Sequence, residues 1–181
     1  GQTLGIVGLG NIGSLVARKA GCLGLQLLGY DPYLPAERAA ELGVHLVSLD
    51  ELLAQADYVT LHCPLVPETR HLIGAAQFAA MKPTAYLINM ARGPVVDQAA
   101  LCDALVRGTI AGAAVDVLEQ EPPDPADPLL RLPNIIITPH TSSWSNESAA
   151  YMRRQAAANV VTVLKGGMPG SIVNRKWLAT A

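Results

Sequence analysis

Aromatic side chains are scarce: the 181 residues include one Phe, two Trp and five Tyr. A core made without them has to be aliphatic and alanine-rich, the composition of a parallel sheet buried on both faces. Charge is sparse too, at 15% of residues with a formal net charge of -2. That balance lacks the basic footprint that nucleic acid requires. No apolar run reaches the roughly 18 residues that cross a bilayer, and the N-terminus has no signal-peptide pattern, so no membrane partner is expected. Cys22, Cys63 and Cys102 are odd in number and lack a CxxC pair. They read as reduced thiols of a cytoplasmic protein, not as a disulfide framework. Four scattered histidines do not add up to a metal site.

What the chain does have is aliphatic residues, half of all positions being hydrophobic, arranged in two alternating periods. Short apolar runs predict strands at 3–9, 25–30, 44–47, 58–61, 85–89, 112–117 and 135–138. Helical spacing fills 12–23, 36–42, 48–54, 75–80, 97–107 and 145–164. Several helix ends are marked. Ser48 and Glu51 have the spacing of a capping box, in which the serine accepts from the Glu51 amide and the glutamate reaches back. Asp97 is placed as an N-cap, with Gly108 closing that helix, and Gly166-Gly167 stops the last one. Strands alternating with crossover helices predict an α/β fold: a doubly wound parallel sheet of Rossmann type in a three-layer α/β/α arrangement. Residues 1–167 are expected to form one domain, with 168–181 an irregular tail. The proline- and aspartate-rich stretch 121–133 reads as a surface loop.

The first strand runs into Gly8-Leu9-Gly10-Asn11-Ile12-Gly13, and Asp31 ends the next strand 18 positions after Gly13. A bare GxGxxG is weak evidence; between a strand and a helix, with an acidic residue at that distance, it predicts a dinucleotide site. Gly8 suits the tight turn, Gly10 the approach of a pyrophosphate, and Gly13 the close packing of helix on strand. The amides of Asn11 and Ile12 would face the phosphates from the positive end of the helix. Asp31 would accept from the adenosine ribose hydroxyls and repel a 2'-phosphate. It is followed by Pro32 and Tyr33, with no arginine to accommodate that phosphate, so NAD is expected rather than NADP.

Three further segments carry a resemblance. Asn89-Met90-Ala91-Arg92-Gly93-Pro94-Val95-Val96-Asp97 resembles the N-x-A-R-G-x-x-V-D signature of D-isomer-specific 2-hydroxyacid dehydrogenases. The run 114–122, through Asp116 to Glu121-Pro122, resembles their A-x-D-V-x-x-x-E-P segment, and Thr138-Pro139-His140 their T-P-H. With the glycine cluster, these motifs stand in the family's order. The resemblance implies that Arg92 binds a substrate carboxylate and polarises its carbonyl, that His140 is the general acid/base, and that Glu121 holds His140 in the required tautomer. It puts Asp116 near the nicotinamide ring, Cys63, Pro64 and Thr69 around the adenine side, and Met90 and Ala91 at the nicotinamide ribose. Glu119 competes with Glu121, but the proline after Glu121 favours the latter. His62 is read as a loop histidine near the cofactor, and His45 and His71 as structural or exposed. Cys63 is at least as well explained as a small apolar filler.

The resemblance further implies an NAD-dependent oxidoreductase moving a hydride between NAD(H) and an (R)-2-hydroxy or 2-keto acid, with the full-length protein a homodimer. In the family much of the substrate domain precedes this region, and the tail would return toward it. This chain is therefore expected to bind NAD(H) yet turn over 2-hydroxy acids poorly by itself. A second reading comes from Trp144, four positions after His140, and from the run 30–34. Both resemble the C-terminal-binding-protein corepressors, which would make the chain an NAD(H)-regulated protein-binding module.

Overall fold

The computed structural model of the chain describes residues 1–173 and divides between His140 and Thr141 into two compact units. The first unit holds a seven-stranded, wholly parallel sheet. Its strands are β1 (Thr3–Val7), β2 (Gln26–Tyr30), β3 (His45–Leu46), β4 (Tyr58–Leu61), β5 (Tyr86–Asn89), β6 (Gly112–Val115) and β7 (Ile135–Ile137). They lie side by side in the order β3-β2-β1-β4-β5-β6-β7. The chain works outward from β1 in one direction, then crosses back to β4 and works outward in the other. The reversal between β1 and β4 is the point where open α/β sheets leave a crevice at the carboxyl ends of their strands.

Five helices belong to this unit: α1 (Asn11–Gly21), α2 (Ala36–Glu41), α3 (Leu49–Gln55), α4 (Ala75–Ala80) and α5 (Gln98–Arg107). Alternation along the strands splits the apolar residues into two cores. Leu4 and Ile6 of β1 and Leu27 of β2 pack with Ala17 and Ala20 of α1 and with Leu42 and Val44. Val7 and Leu28, the neighbours that point the other way, pack with Leu52 and Leu53 of α3, Phe78 of α4 and Leu101, Ala104 and Leu105 of α5. The sheet is thus buried on both faces around β1 and β2, but on β5 and β7 Tyr86 and Ile136 leave one face open, at 45% and 68% exposed; the single Phe sits fully inside the larger core.

The expected elements all form, most with ends one or two residues shorter, though α1 starts one residue earlier and α3 runs one residue further, to Gln55. The first, sixth and seventh strands stop at Val7, Val115 and Ile137, before Leu9, Val117 and Thr138, because the chain turns there to build the site. The third strand shrinks to two residues at the sheet's edge. Asp97 caps α5 by accepting from the Ala100 amide at 3.0 Å, and Gly108 closes it at φ 66°. The box at α3 is only half made. Ser48 accepts from the Glu51 amide at 3.2 Å, but the Glu51 carboxylate accepts instead from Gln55 one turn on.

The second unit contains α6 (Asn146–Leu164). Ser145 and Ser148 exchange side-chain and backbone hydrogen bonds at its start, and Gly166, at φ 74°, ends it. Residues 168–173 form neither helix nor strand, and the expectation for 174–181 lies outside the described residues.

Candidate functional site

The loops at the carboxyl ends of β1, β2, β4, β5, β6 and β7 all carry candidate residues. At β1 the turn is built by backbone restrictions. Gly8 has φ 86°, and a Cβ on it would fall 2.7 Å from the Cys63 amide nitrogen. A Cβ on Gly13 would meet the Gly8 carbonyl oxygen at 2.0 Å, so only glycine lets α1 sit this close to the turn. Ser14 Oγ donates to the Leu9 carbonyl at 2.7 Å and ties the loop to the first turn of α1. Around Gly10 the opposite holds: nothing lies within 4 Å of a Cβ built there. That open side, next to uncapped helix amides, is the space and the polarity a pyrophosphate needs.

Asp31, one residue past β2, is fixed by the same turn. Its Oδ2 accepts from the Leu9 amide at 2.8 Å and its Oδ1 from the Tyr33 amide at 3.0 Å. It borders a cleft with Gly8, Gly10, Pro32, Tyr33, Cys63, Pro64, Glu68, Thr69 and other residues. Thr69 lines the same cleft, its hydroxyl donating to the Pro64 carbonyl at 2.6 Å while accepting from the Val66 amide at 2.9 Å. A second cleft continues from it through His62, Cys63 and Pro64 to Asn11, Ile12, Leu65, Met90, Ala91 and Arg92. Burial and the charge of Asp31 push the Cys63 thiol up, which keeps it protonated and supports its reading as a small apolar filler. Burial pushes His62 down, toward a neutral imidazole, and its Nε2 lies 3.0 Å from the Thr60 hydroxyl.

Arg92 is displayed by a turn that its own motif constructs. Asn89, buried at the end of β5, accepts from the Ala91 amide at 3.0 Å and donates to the Arg92 carbonyl at 3.0 Å. The next residue, Gly93, touches the loop after β6: a Cβ there would sit 1.9 Å from the Leu118 carbonyl oxygen. The exposed guanidinium donates to the Ala91 carbonyl at 2.7 Å.

On the far side of β6, Asp116 is 1% exposed and accepts from the Thr138 hydroxyl at 2.5 Å. Its carbonyl accepts from the His140 amide at 2.9 Å, which holds the turn after β7 against the end of β6. His140 has φ 54°, a left-handed backbone that non-glycine residues seldom adopt. Its Nδ1 lies 2.8 Å from Glu121 Oε2, and Glu121 Oε1 accepts from the Leu118 amide at 3.0 Å. The hydrogen bond from His140 is the main reason the Glu121 carboxyl is held below its ordinary range; the Leu118 amide adds to it, against burial and the Asp116 charge. His140, Glu121 and Asp116 border one cleft with Pro122, Pro123, Ile137 and Thr138.

The structure therefore pairs His140 with Glu121 directly and sets Arg92 on the strand end across β6 from them. His71, read as structural or exposed, is exposed and also partnered: Glu119 Oε1 lies 2.6 Å from His71 Nε2. Among the described residues no cluster of His, Cys, Asp and Glu could hold a metal, and no helix is long and apolar enough to cross a membrane. The cysteines are unpaired.

A doubly wound sheet with a glycine turn, an acidic residue at the end of the second strand and open strand ends defines a dinucleotide-binding domain. The chain matches the family model described as D-isomer specific 2-hydroxyacid dehydrogenase, NAD binding domain, over residues 1–142, and it belongs to that family. NAD, read from the glycine cluster and Asp31, is the cofactor of that description. The chain is 48% identical to a glyoxylate reductase of Korarchaeum cryptofilum, covering 97% of this chain and 53% of the relative. It is 45% identical to a D-3-phosphoglycerate dehydrogenase of Methanocaldococcus jannaschii, covering 96% and 33%. In three dimensions it is similar to a D-isomer specific 2-hydroxyacid dehydrogenase of Lactobacillus delbrueckii ssp. bulgaricus in its NAD complexed form. The TM-score is 0.87 at 38% identity, over 95% of this chain and 56% of that one. The chain thus spans about half, or less, of these relatives. Their names are those of reductases and dehydrogenases, and none supports the corepressor-like alternative.

Proposed function

We propose that the chain is the cofactor half of an NAD-dependent dehydrogenase acting on (R)-2-hydroxy acids or their 2-keto partners. The observation that carries this is the His140–Glu121 pair at 2.8 Å beside a cleft, one strand away from an exposed arginine. Gly10, Asn11 and Ile12 would hold the pyrophosphate, Asp31 and Pro32 the adenosine ribose, and Cys63, Pro64 and Thr69 the adenine side. Met90 and Ala91 would line the nicotinamide ribose, with Asp116 near the ring. Bound NAD supplies the hydride acceptor or donor.

The chain's own groups do the rest. Arg92 offers a fixed, always-charged fork that binds the substrate carboxylate and draws density from the neighbouring carbonyl. Glu121 engages Nδ1 of His140, which leaves Nε2 as the nitrogen that exchanges a proton with the substrate oxygen. In oxidation Nε2 takes the alcohol proton as hydride leaves carbon, and the adjacent carboxylate stabilises the imidazolium so formed. In reduction the same proton returns to the carbonyl oxygen.

The test is NADH oxidation by the full-length protein against a panel of 2-keto acids that includes glyoxylate and pyruvate. Removing a general acid or base lowers rate by about 100- to 10,000-fold, so His140→Ala should fall in that range. Arg92→Ala should lose turnover as well. Activity no higher than that of the Arg92→Ala protein, across the whole panel, sinks this reading.

A further inference from the structure

The loop after β6 carries two glutamates two residues apart, and each holds a histidine from a different part of the chain. Glu121 holds His140. Glu119 holds His71, at 2.6 Å, with both side chains about one-third exposed. His71 and His140 are also the non-glycine residues with positive φ among those described, at 51° and 54°. A bulky residue stays in that conformation only where its surroundings over-determine it. For His140 the surroundings are the acid–base site. His71 needs its own explanation.

Its neighbours supply one. The His71 amide donates to the Pro94 carbonyl at 2.8 Å, and Ile73 pairs with Val96, so the segment 71–73 lies along the turn that displays Arg92. Gly93 of that turn abuts the Leu118 carbonyl. The Leu118 amide donates to Glu121. Glu119 is clamped a second time, its amide donating to Gln98 Oε1 at 2.9 Å, and Gln98 Nε2 donates to Asp127. Two residues before His71 stands Thr69, which lines the same cleft as Asp31.

We propose that His71 and Glu119 are a positioning pair: their contact fixes the 118–121 loop so that Glu121 meets Nδ1 of His140. The proposal rests on the reading of His140 and Glu121 as an acid–base pair. Neither His71 nor Glu119 touches the substrate. Glu119 anchors one end of a three-residue span whose other end is Glu121, so a shift at the first is passed through one intervening residue to the second. Without the anchor, the Glu121 carboxylate loses its fixed distance to His140. The imidazole then distributes its proton over both nitrogens, and a fraction of molecules present the wrong nitrogen to substrate.

The test uses nitrogen-15 NMR of the histidine-labelled protein, at a pH where His140 is neutral, to read which ring nitrogen carries the proton. His71→Gly is the first variant. It removes the imidazole while leaving a residue that favours the left-handed backbone, so the fold is not asked to bear new strain. Glu119→Ala removes the other partner, and Glu119→Gln keeps an acceptor for His71. In the wild type the proton sits on Nδ1 of His140. His71→Gly and Glu119→Ala should shift it toward a mixture, with Glu119→Gln restoring the wild-type pattern. In the full-length protein the same two variants should lose about 10- to 100-fold in kcat, the scale of a slight misplacement, with KM for NADH within about twofold.

An unchanged His140 proton distribution in both disruptive variants overturns the proposal. So does failure of both to fold, which would make the pair an element of the fold alone. Glu121→Ala separates the two readings: if it leaves the His140 tautomer untouched, the acid–base pair itself is wrong.

Discussion

Two carboxylates in this site do different jobs because their surroundings differ. Asp116 is buried, its carboxylate accepting from the Thr138 hydroxyl while its backbone carbonyl takes the His140 amide. Glu121 stands at the rim with His140, and its carboxyl is held below the ordinary range chiefly by the imidazole. A group whose folded pKa is depressed contributes stability that is fully present above its unfolded value and is lost as pH falls through the folded value. The His140–Glu121 pair should therefore survive through neutral and mildly acid pH and come apart only below the usual carboxylate range. Carbon-13 NMR of the Glu121 carboxyl can follow this directly. In His140→Ala its titration midpoint should rise toward the ordinary glutamate value. A midpoint that does not move would mean that the Leu118 amide, not the histidine, sets the acidity.

At the scale of elements, helix ends decide how firmly the site's walls are held. Helix α5 begins one residue after Asp97, whose side chain takes the Ala100 amide. The Asp97 amide in turn donates to the Ile73 carbonyl, joining that cap to the segment behind His71. Asp97→Ala should cost about 1 kcal/mol, the usual worth of such a cap, as the shift of a urea denaturation midpoint at constant slope. Ser48→Ala should cost less, since its box is half made. Much of this was legible in the sequence. Strand and helix periods, the Asp97 cap and the Gly108 stop are local signals within a few residues of one another, and each was realised. The failures were equally physical. Glu51 had a nearer partner in Gln55 than the start of its helix. The 3-10 turns at Pro67–Thr69, Gly93–Val95 and Pro128–Arg131 are too short to leave a period. Within the site, Gly8, Asp31, Arg92 and Glu121-His140 could be placed from motifs. The turn made by Asn89 had its signal in the same motif, two residues before Ala91. The His71–Glu119 contact had none, because it joins positions 48 residues apart in no repeating pattern.

At the scale of the whole molecule, the reversal between β1 and β4 gathers residues from positions 8 to 140 at one edge of one sheet. The smaller core, which takes in Leu9 of the glycine turn and Ala17 and Ala20 of α1, supports that turn; the larger core supports the ends of β4, β5 and β6. A ligand lying across the reversal touches loops that rest on both cores, so its binding energy should oppose the unfolding of either. Ligand that binds only the folded state stabilises by about 2.7 kcal/mol at a hundredfold excess over Kd, and a domain of this size gains about 2–4 °C in Tm per kcal/mol. NADH at that excess should therefore raise the Tm by about 5–11 °C on those coefficients. NADPH should do much less, because the proposed site sets the adenosine ribose on Asp31, whose carboxylate would repel a 2'-phosphate. Gly13→Ala puts a methyl group against the Gly8 carbonyl, so it should lower the Tm without ligand and abolish most of the NADH increment. Differential scanning calorimetry of both proteins with each nucleotide reads all of these shifts. An NADH increment that survives intact in Gly13→Ala would place the nucleotide somewhere other than the glycine turn.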